Sequence, residues 1–186
     1  MRFLLLRAVD IFFANFVRKR FIQHLFKYHI HLNCDCAEFG VYKGTTAKYI
    51  SSETDKTLFL FDSFDGLPEN WGKCFKQGDF KLNKIPNLPL KSVLYKGQFN
   101  FSITNFKKDW KNKPLAFIHI DSDLYSSAKD VLFRLNENIV PGTVILFDEF
   151  LKGENIALKE WIGAYSRNCI FIKKTIHLQT AYRVVR

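Results

Sequence analysis

Ionisable side chains stand at the ends of several apolar runs in this sequence. Asp121 and Asp123 follow the run AFIHI, Asp148 and Glu149 follow VILF, and Asp62 follows LFLF. Carboxylates can bind a metal ion, accept hydrogen bonds from hydroxyl groups or take up a proton during a reaction. Which of these roles applies depends on whether the fold brings the side chains together.

The pattern of the chain predicts how these residues are positioned. After residues 3–29, which read as helical, apolar runs alternate with amphipathic segments. The runs cover 36–42, 57–64, 92–97, 115–121, 142–150, 169–178 and 181–186, and the helical segments cover 45–53, 101–110, 126–139 and 154–166. This alternation predicts an α/β fold with a mostly parallel seven-stranded sheet, and the short turn between the last two runs predicts an antiparallel pair at one edge. With no repeat or linker in 186 residues, we expect one domain over 1–186, with a helical segment at 1–31 and the core at 32–186.

Ligands of such sheets bind beyond the carboxyl ends of the strands, so the polar residues there are site candidates. In EFGVYKGTT, Gly40 and Gly44 can let the backbone approach a ligand, and Glu38 would repel pyrophosphate but attract a sulfonium or ammonium centre. Asp62 lies 24 residues after Glu38, a spacing that suits a carboxylate binding ribose hydroxyls. Each motif alone also fits an ordinary turn, but together they favour nucleotide-like binding.

The later carboxylates predict a different kind of site. Asp121, Asp148 and Glu149 end neighbouring strands, and an oxygen-only cluster suits Mg²⁺ or Mn²⁺ better than zinc. Asp123 has an alternative role, since it or Ser126 could cap the following helix. His119, on the same strand as the run AFIHI, is interpreted as a packed core residue and left out of the site.

The formal charge of +10 is concentrated at the two ends of the chain. Residues 1–31 carry six Lys or Arg against one Asp, residues 151–186 carry seven against two Glu, and the centre is balanced. Two interpretations stay open: a surface for an anionic partner, or a solubilising surface, which is favoured. Four cysteines without a CxxC pair indicate a reduced, cytoplasmic setting.

The first residues resemble a basic amphipathic helix. Phe3, Leu6, Val9 or Asp10, Phe13 and Val17 recur at helical spacing, with arginines between them. The apolar stretches are too short to span a bilayer, and no cleavage site of a signal peptide follows. We expect this helix to pack on the domain or on a second copy in a homo-oligomer, and the alternative is contact with an anionic membrane surface.

Several motifs together resemble the macrocin O-methyltransferase (TylF-like) family. These are EFGVYKG, FDSFDGLPE, KGQF, FIHIDSDLYSSAKDVL and GTVILFDEF, in this order, from about Cys36 to Phe150. The resemblance implies a Rossmann-like class I enzyme that uses S-adenosylmethionine and Mg²⁺ to methylate a sugar hydroxyl. The family usually has Asp-Asp-Tyr where this chain has Asp148-Glu149-Phe150, and the basic segment 66–91 lies where a lid over the acceptor is expected.

By this resemblance, each candidate residue receives a role. Asp123 would be the general base, and Asp121, Asp148 and Glu149 would hold the metal. The cofactor would be bound by Glu38, Phe39, Gly40, Tyr42, Gly44, Thr45, Asp62, Ser63, Gly97, Gln98, Phe99 and Asp121. Two other functions stay open: a nucleic-acid methyltransferase, which the acidic cluster disfavours, and a non-catalytic interaction subunit of the same fold.

Overall fold

The computed structural model describes the backbone of residues 2–186 and the side chains of residues 13–186. Twelve elements follow one another along the chain: α1 (Arg2–Tyr28), β1 (Asp35–Phe39), α2 (Thr45–Ser52), β2 (Leu58–Asp62), β3 (Ser92–Lys96), α3 (Phe99–Trp110), β4 (Leu115–Ile120), α4 (Tyr125–Arg134), β5 (Val144–Phe147), α5 (Lys152–Ala164), β6 (Cys169–Lys174) and β7 (Thr180–Val184). Every strand lies within or overlaps a predicted apolar run. The predicted N-terminal helical segment forms one helix, α1.

The strands form one seven-stranded sheet in the order β3-β2-β1-β4-β5-β7-β6. The first five in this order are parallel, and β7 runs antiparallel to both β5 and β6. This confirms the predicted Rossmann-like sheet. The chain leaves β1 for β2 on one side and later returns through β4 on the other side, which creates a crevice beyond the ends of β1 and β4.

Helices cover both faces of the sheet, and this explains the continuous apolar runs. All six residues of β4 are buried, as expected for a parallel strand covered on two sides. One face packs on α3, α4 and α5, with Trp161 fully buried. The other face packs on α1 and α2, where Ile22 and Ile50 are fully buried.

Helix α1 contacts the sheet through its carboxyl-terminal half, with Phe21, Ile22 and Leu25 buried. Of the predicted apolar stripe, Phe13 is exposed, Val17 is half-buried, and the side chains at positions 3, 6, 9 and 10 lie outside those described. Among the residues described, no helix combines the length and the apolar character needed to cross a membrane.

Candidate active site

A cavity of about 410 Å³ opens at the carboxyl ends of β1, β2, β3 and β4. This volume lies in the range of pockets that hold small molecules and cofactors. Nine of the predicted site residues line it: Gly40, Tyr42, Asp62, Ser63, Gly97, Gln98, Phe99, Asp121 and Asp123. The structure thus brings together the turn after β1, the segments after β2 and β3, and the segment after β4.

Asp62 joins the end of β2 to the turn that follows β1. Its Oδ2 accepts hydrogen bonds from the backbone N–H groups of Val41 and Tyr42, each at 2.8 Å. Its Oδ1 accepts a further bond from the N–H of Phe64 at 2.7 Å. Because a carboxylate has about four acceptor sites, Oδ1 keeps capacity for a hydroxyl donor in the cavity. Asp62 therefore shapes the glycine turn and also faces the space for a ligand.

Gly40 makes a close backbone contact that a larger residue would prevent. Its φ is +91°, and a Cβ placed on it would lie 1.8 Å from the carbonyl oxygen of Asp121. The N–H of Asp121 donates to the carbonyl oxygen of Phe39 at 2.8 Å. The glycine thus lets the turn after β1 pack directly on the segment after β4, and this contact holds Asp121 at the cavity wall.

Four of the predicted cofactor residues do not line the cavity. Gly44 and Thr45 lie at the start of α2, and the closest side chain to Gly44 is that of Leu88. Glu38 and Phe39 belong to β1 and have no exposed surface. As arranged here, these four residues can support the cavity but do not face a ligand in it.

Glu38 instead forms a buried pair with His119, the histidine that the sequence assigned to the core. Glu38 Oε1 and His119 Nδ1 lie 3.1 Å apart, and neither side chain is exposed. Burial alone would lower the pKa of His119, but the carboxylates of Asp148 and Glu38 outweigh burial and raise it to about 9. These carboxylates therefore favour the protonated form of His119 at neutral pH, with its charge facing the predicted site.

Asp148 is held by a guanidinium and an amide, and an imidazole lies nearby. Arg18 of α1 donates from Nε to Oδ1 at 2.8 Å and from Nη2 to Oδ2. Gln179 Nε2 donates to Oδ1 at 2.8 Å, and His119 Nε2 lies 3.8 Å from the same oxygen. Burial would raise the pKa of Asp148, but His119, Arg18 and Gln179 together hold it well below its usual range.

Asp121 and Asp123 face the cavity, and their negative charges are balanced less fully by neighbouring groups than that of Asp148. Burial and the charge of Asp148 raise the pKa of Asp121. Burial and the charges of Glu149 and Glu154 raise the pKa of Asp123 to about 7. Asp123 has a φ of +62°, a left-handed conformation that aspartate tolerates better than most residues. A carboxylate with such a pKa can accept a proton near neutral pH.

The alternative interpretation of Asp123 as a helix cap is wrong. The residue that caps α4 is Leu124, and no side chain makes a capping hydrogen bond there. Ser126 lies inside the first turn of α4, and its hydroxyl donates to Glu69 Oε1 at 2.5 Å. The carboxyl group of Asp123 is thus left to the cavity.

The predicted metal ligands do not form an oxygen-only set that fits Mg²⁺. Within the described part of the chain, the group whose ligand atoms lie within 4.8 Å of one another consists of His119, Asp121 and Asp148, without Glu149. Both oxygens of Asp148 already accept hydrogen bonds from Arg18, and His119 Nδ1 lies 3.1 Å from Glu38 Oε1. Of the three predicted ligands, only Asp121 both belongs to this group and has a carboxylate to which no described residue donates a hydrogen bond.

The model of one protein family matches residues 28–168, described as macrocin-O-methyltransferase (TylF). This range includes β1 to β5 and all the cavity residues named above. The chain belongs to the macrocin-O-methyltransferase family.

Individual relatives agree with this assignment. A curated relative from Streptomyces olivaceus, 8-demethyl-8-(2,3-dimethoxy-alpha-L-rhamnosyl)-tetracenomycin-C 4'-O-methyltransferase, is 27% identical over 137 residues. The match covers 62% of this chain and 52% of the relative, so the chain spans about half the length of that protein.

Two solved structures show the same fold. The calicheamicin methyltransferase CalS11 has a TM-score of 0.75 at 19% identity, over 90% of this chain and 79% of that chain. The O-methyltransferase NovP has a TM-score of 0.70 at 20% identity, over 91% and 80%. At these identities, the likeness concerns the fold.

Part of the cavity wall of this TylF-family chain was absent from the sequence-based site. Residues 66–69 and Phe80 line the cavity from the segment that follows β2. Gly66 allows this segment to fold back, since a Cβ there would lie 2.3 Å from the carbonyl oxygen of Asp79. The motif FDSFDGLPE signalled the turn at 66–69, whereas Phe80 lies in a segment without periodicity. Its ring meets Tyr42 edge to face, with ring centroids 5.9 Å apart.

The other unpredicted lining residues come from the segments after β3 and β4. They carry small or polar side chains: Asn100, Ser122, Ser126, Ser127 and Asp130. Four of them fall within the motif FIHIDSDLYSSAKDVL, so the motif pointed to this region without distinguishing which positions face the cavity. These side chains give this part of the cavity wall a polar surface that can form hydrogen bonds.

Proposed function

We propose that this chain transfers the methyl group of S-adenosylmethionine to a hydroxyl of a sugar-containing small molecule, with Asp123 as general base. The observation that carries this proposal is the shared cavity. Residues expected at the cofactor, such as Asp62 and Gly97, line the same space as the carboxyl groups of Asp121 and Asp123. Family membership and the rhamnosyl O-methyltransferase relative support a sugar hydroxyl as the acceptor.

The cavity residues fit the cofactor. The volume of about 410 Å³ suits a nucleoside of this size, and Asp62 keeps hydrogen-bonding capacity for ribose hydroxyls. When bound, S-adenosylmethionine supplies an electrophilic methyl group on a sulfonium centre. Asp121 presents a carboxyl group to the same space, and a cation beside it would favour the ionised form.

Asp123 has the properties required of the base. It lines the cavity, and its raised pKa of about 7 matches the range in which a carboxylate both accepts protons and stays mostly ionised at slightly basic pH. In the reaction, the acceptor oxygen forms a bond to the methyl carbon as the carbon–sulfur bond breaks. The hydroxyl proton passes to the Asp123 carboxylate, and the thioether product leaves neutral.

No step of this mechanism passes through a metal ion. The predicted Mg²⁺ set of Asp121, Asp148 and Glu149 does not fit the ion in the arrangement described, because Asp148 is bound by Arg18 and Glu149 lies outside the cluster. The positive charges near the carboxylates come from the protein itself, from Arg18 and His119.

Calorimetric titration of the chain with S-adenosylhomocysteine tests the cofactor. We expect saturable one-to-one binding that Asp62→Ala weakens at least tenfold, while Asp55→Ala, in an exposed turn, has no effect. Methyl transfer to a panel of rhamnosylated and unglycosylated aromatic compounds then tests the acceptor. Absence of binding would favour the non-catalytic interaction subunit, and methylation of RNA in preference to sugars would favour the nucleic-acid enzyme.

Two proposals concern α1. Phe13 and Phe16 expose about half of their surface, which supports a contact with a second copy of the chain. Sedimentation velocity at increasing concentration tests the homo-oligomer, and flotation with anionic vesicles tests the alternative of membrane contact. A monomer that binds no vesicles would rule out both.

A further inference from the structure

The side chain of Arg18, in α1, binds the carboxylate of Asp148, which the sequence assigned to a metal ion. Arg18 binds both oxygens of Asp148 through Nε and Nη2, and its Nη1 lies 3.4 Å from the Asn15 side-chain oxygen. This two-pronged arrangement is the geometry in which a guanidinium binds a carboxylate most strongly. The two residues are 130 positions apart, so the packing of α1 on the sheet is what brings them together.

The position of Arg18 is fixed by the core. Residues i and i+4 of a helix share one face, which places Arg18 on the face of Ile22. Ile22 is fully buried against the sheet, and Phe21 and Leu25 are buried beside it. The side chain of Arg18 is itself only 23% exposed. The packing of α1 on the sheet therefore keeps the backbone of Arg18 within reach of Asp148.

The remaining contacts of Asp148 leave little room for a second cation. Gln179 and Arg18 Nε both donate to Oδ1, and the imidazole ring of His119 lies 3.8 Å away. A divalent ion at Asp148 would lie beside the positive guanidinium of Arg18 and would compete with it for Oδ2. Arg18 and a metal ion are thus alternative partners of one carboxylate.

We propose that Arg18 takes the place of a divalent cation at Asp148, so that the chain's own N-terminal helix balances the charge of the carboxylate cluster. For catalysis this rests on the proposed function: Arg18 is then a positioning residue, which acts on the cavity through Asp148 and the neighbouring Asp121. The positive charge of Arg18 also lowers the pKa of Asp123, whereas Glu149, Glu154 and Asp148 raise it.

The competition can be measured with Mn²⁺ by electron paramagnetic resonance, because the signal of the free ion falls as the ion binds. The wild-type chain is expected to bind no Mn²⁺ at this cluster below millimolar concentration. Arg18→Ala frees the carboxylate, and binding is expected to tighten at least tenfold. The double variant Arg18→Ala with Asp148→Asn should lose this binding again, which assigns it to Asp148.

Matched variants separate charge from structure. Arg20→Ala removes an exposed arginine from the same helix and should behave as wild type. Arg18→Lys keeps a cation near Asp148 and should not gain Mn²⁺ binding, whereas Arg18→Met keeps the aliphatic stem without the charge and should gain it. If thermal unfolding shows that Arg18→Ala does not fold, Arg18→Met provides the comparison.

Two results would overturn the inference. One is submillimolar Mn²⁺ binding by the wild-type chain that Asp148→Asn abolishes, and the other is a folded Arg18→Met or Arg18→Ala variant that binds Mn²⁺ no more tightly than wild type. Titration of the same samples with S-adenosylhomocysteine keeps the two proposals apart. If the wild-type chain does not bind S-adenosylhomocysteine, the proposed methyl transfer is contradicted. The Mn²⁺ comparison would still decide the role of Arg18.

Discussion

Glu38 and His119 are direct partners across β1 and β4, and their side chains bond at 3.1 Å in a position that solvent does not reach. His119 also faces Asp148, which in turn binds Arg18. Four ionisable side chains of alternating charge thus run from the core beneath the cavity to helix α1. In such a chain each charge is balanced by its neighbours, and removal of one leaves another unbalanced in a region of low dielectric.

Glu38→Gln should therefore destabilise the protein strongly. It removes the acid that pairs with His119 at 3.1 Å in a fully buried position, and breaking a buried ion pair typically costs about 3 kcal/mol or more. Urea denaturation followed by circular dichroism gives the free energy of unfolding. Glu137→Gln is the matched control, because Glu137 pairs with Lys107 at the surface and such pairs contribute less than about 1 kcal/mol. If both variants lose the same free energy of unfolding, the buried ion pair between Glu38 and His119 is contradicted.

The stability of the protein should fall as the pH rises from about 6.5 to about 9. His119 has a folded-state pKa raised to about 9 against an ordinary value of about 6.5. The native state therefore binds its proton more tightly than the unfolded state, and this contribution is complete below pH 6.5 and lost above pH 9. Thermal unfolding at pH 6.5, 7.5 and 9 measures the slope. His119→Asn should flatten it, and an unchanged slope in that variant would assign the titration to another group.

The sequence predicted the central strands well because β1, β2, β4 and β5 are buried on two sides. Such strands require continuous apolar runs, and the change to a carboxylate at their ends marks the edge of the sheet. That regularity pointed to Asp62, Asp121 and Asp123 in advance, and the resemblance to the macrocin O-methyltransferase family supplied further cavity residues such as Gly97. The regularity also made Glu38 misleading, because a charge on a strand can point into a cavity or into the core, and the sequence does not distinguish the two.

The roles of Arg18 and His119 could not be read from the sequence for a related reason. Arg18 was one of several basic residues near the amino terminus, and its partner Asp148 lies 130 positions away. His119 was expected to be a packed core residue, and it is fully buried, but its charge state depends on carboxylates from two other strands. Such pairs arise from packing of distant elements, for which a single sequence holds no local signal.

Gly40→Ala should disrupt the contact between the turn after β1 and the segment after β4. Its Cβ would overlap the Asp121 carbonyl oxygen, and φ of +91° is unfavourable for alanine. We expect a loss of about 2 kcal/mol or more in the free energy of unfolding, together with weaker binding of S-adenosylhomocysteine. Gly163→Ala is the control, since it lies in α5 with no atom within 4 Å of a built Cβ. Alanine in a helix should stabilise there by about 0.5–1 kcal/mol, so effects of opposite sign are expected.

Asp123→Asn should abolish most methyl transfer and leave cofactor binding intact. The amide cannot accept the proton of the acceptor hydroxyl, and loss of a general base lowers rates by about 100- to 10,000-fold. Single-turnover rates measure the chemical step, and calorimetry with S-adenosylhomocysteine measures binding. Asp55→Asn, in an exposed turn, serves as the control.

The pH dependence of the wild-type chain tests the same assignment. Burial and the carboxylates of Glu149, Glu154 and Asp148 raise the pKa of Asp123 to about 7, while Arg18 opposes them. Since the base acts when it is ionised, the rate should rise from pH 6 to pH 8 and level off above. Asp123→Asn should lose this rise in its residual activity. A variant that kept the wild-type rate and pH profile would show that another group accepts the proton.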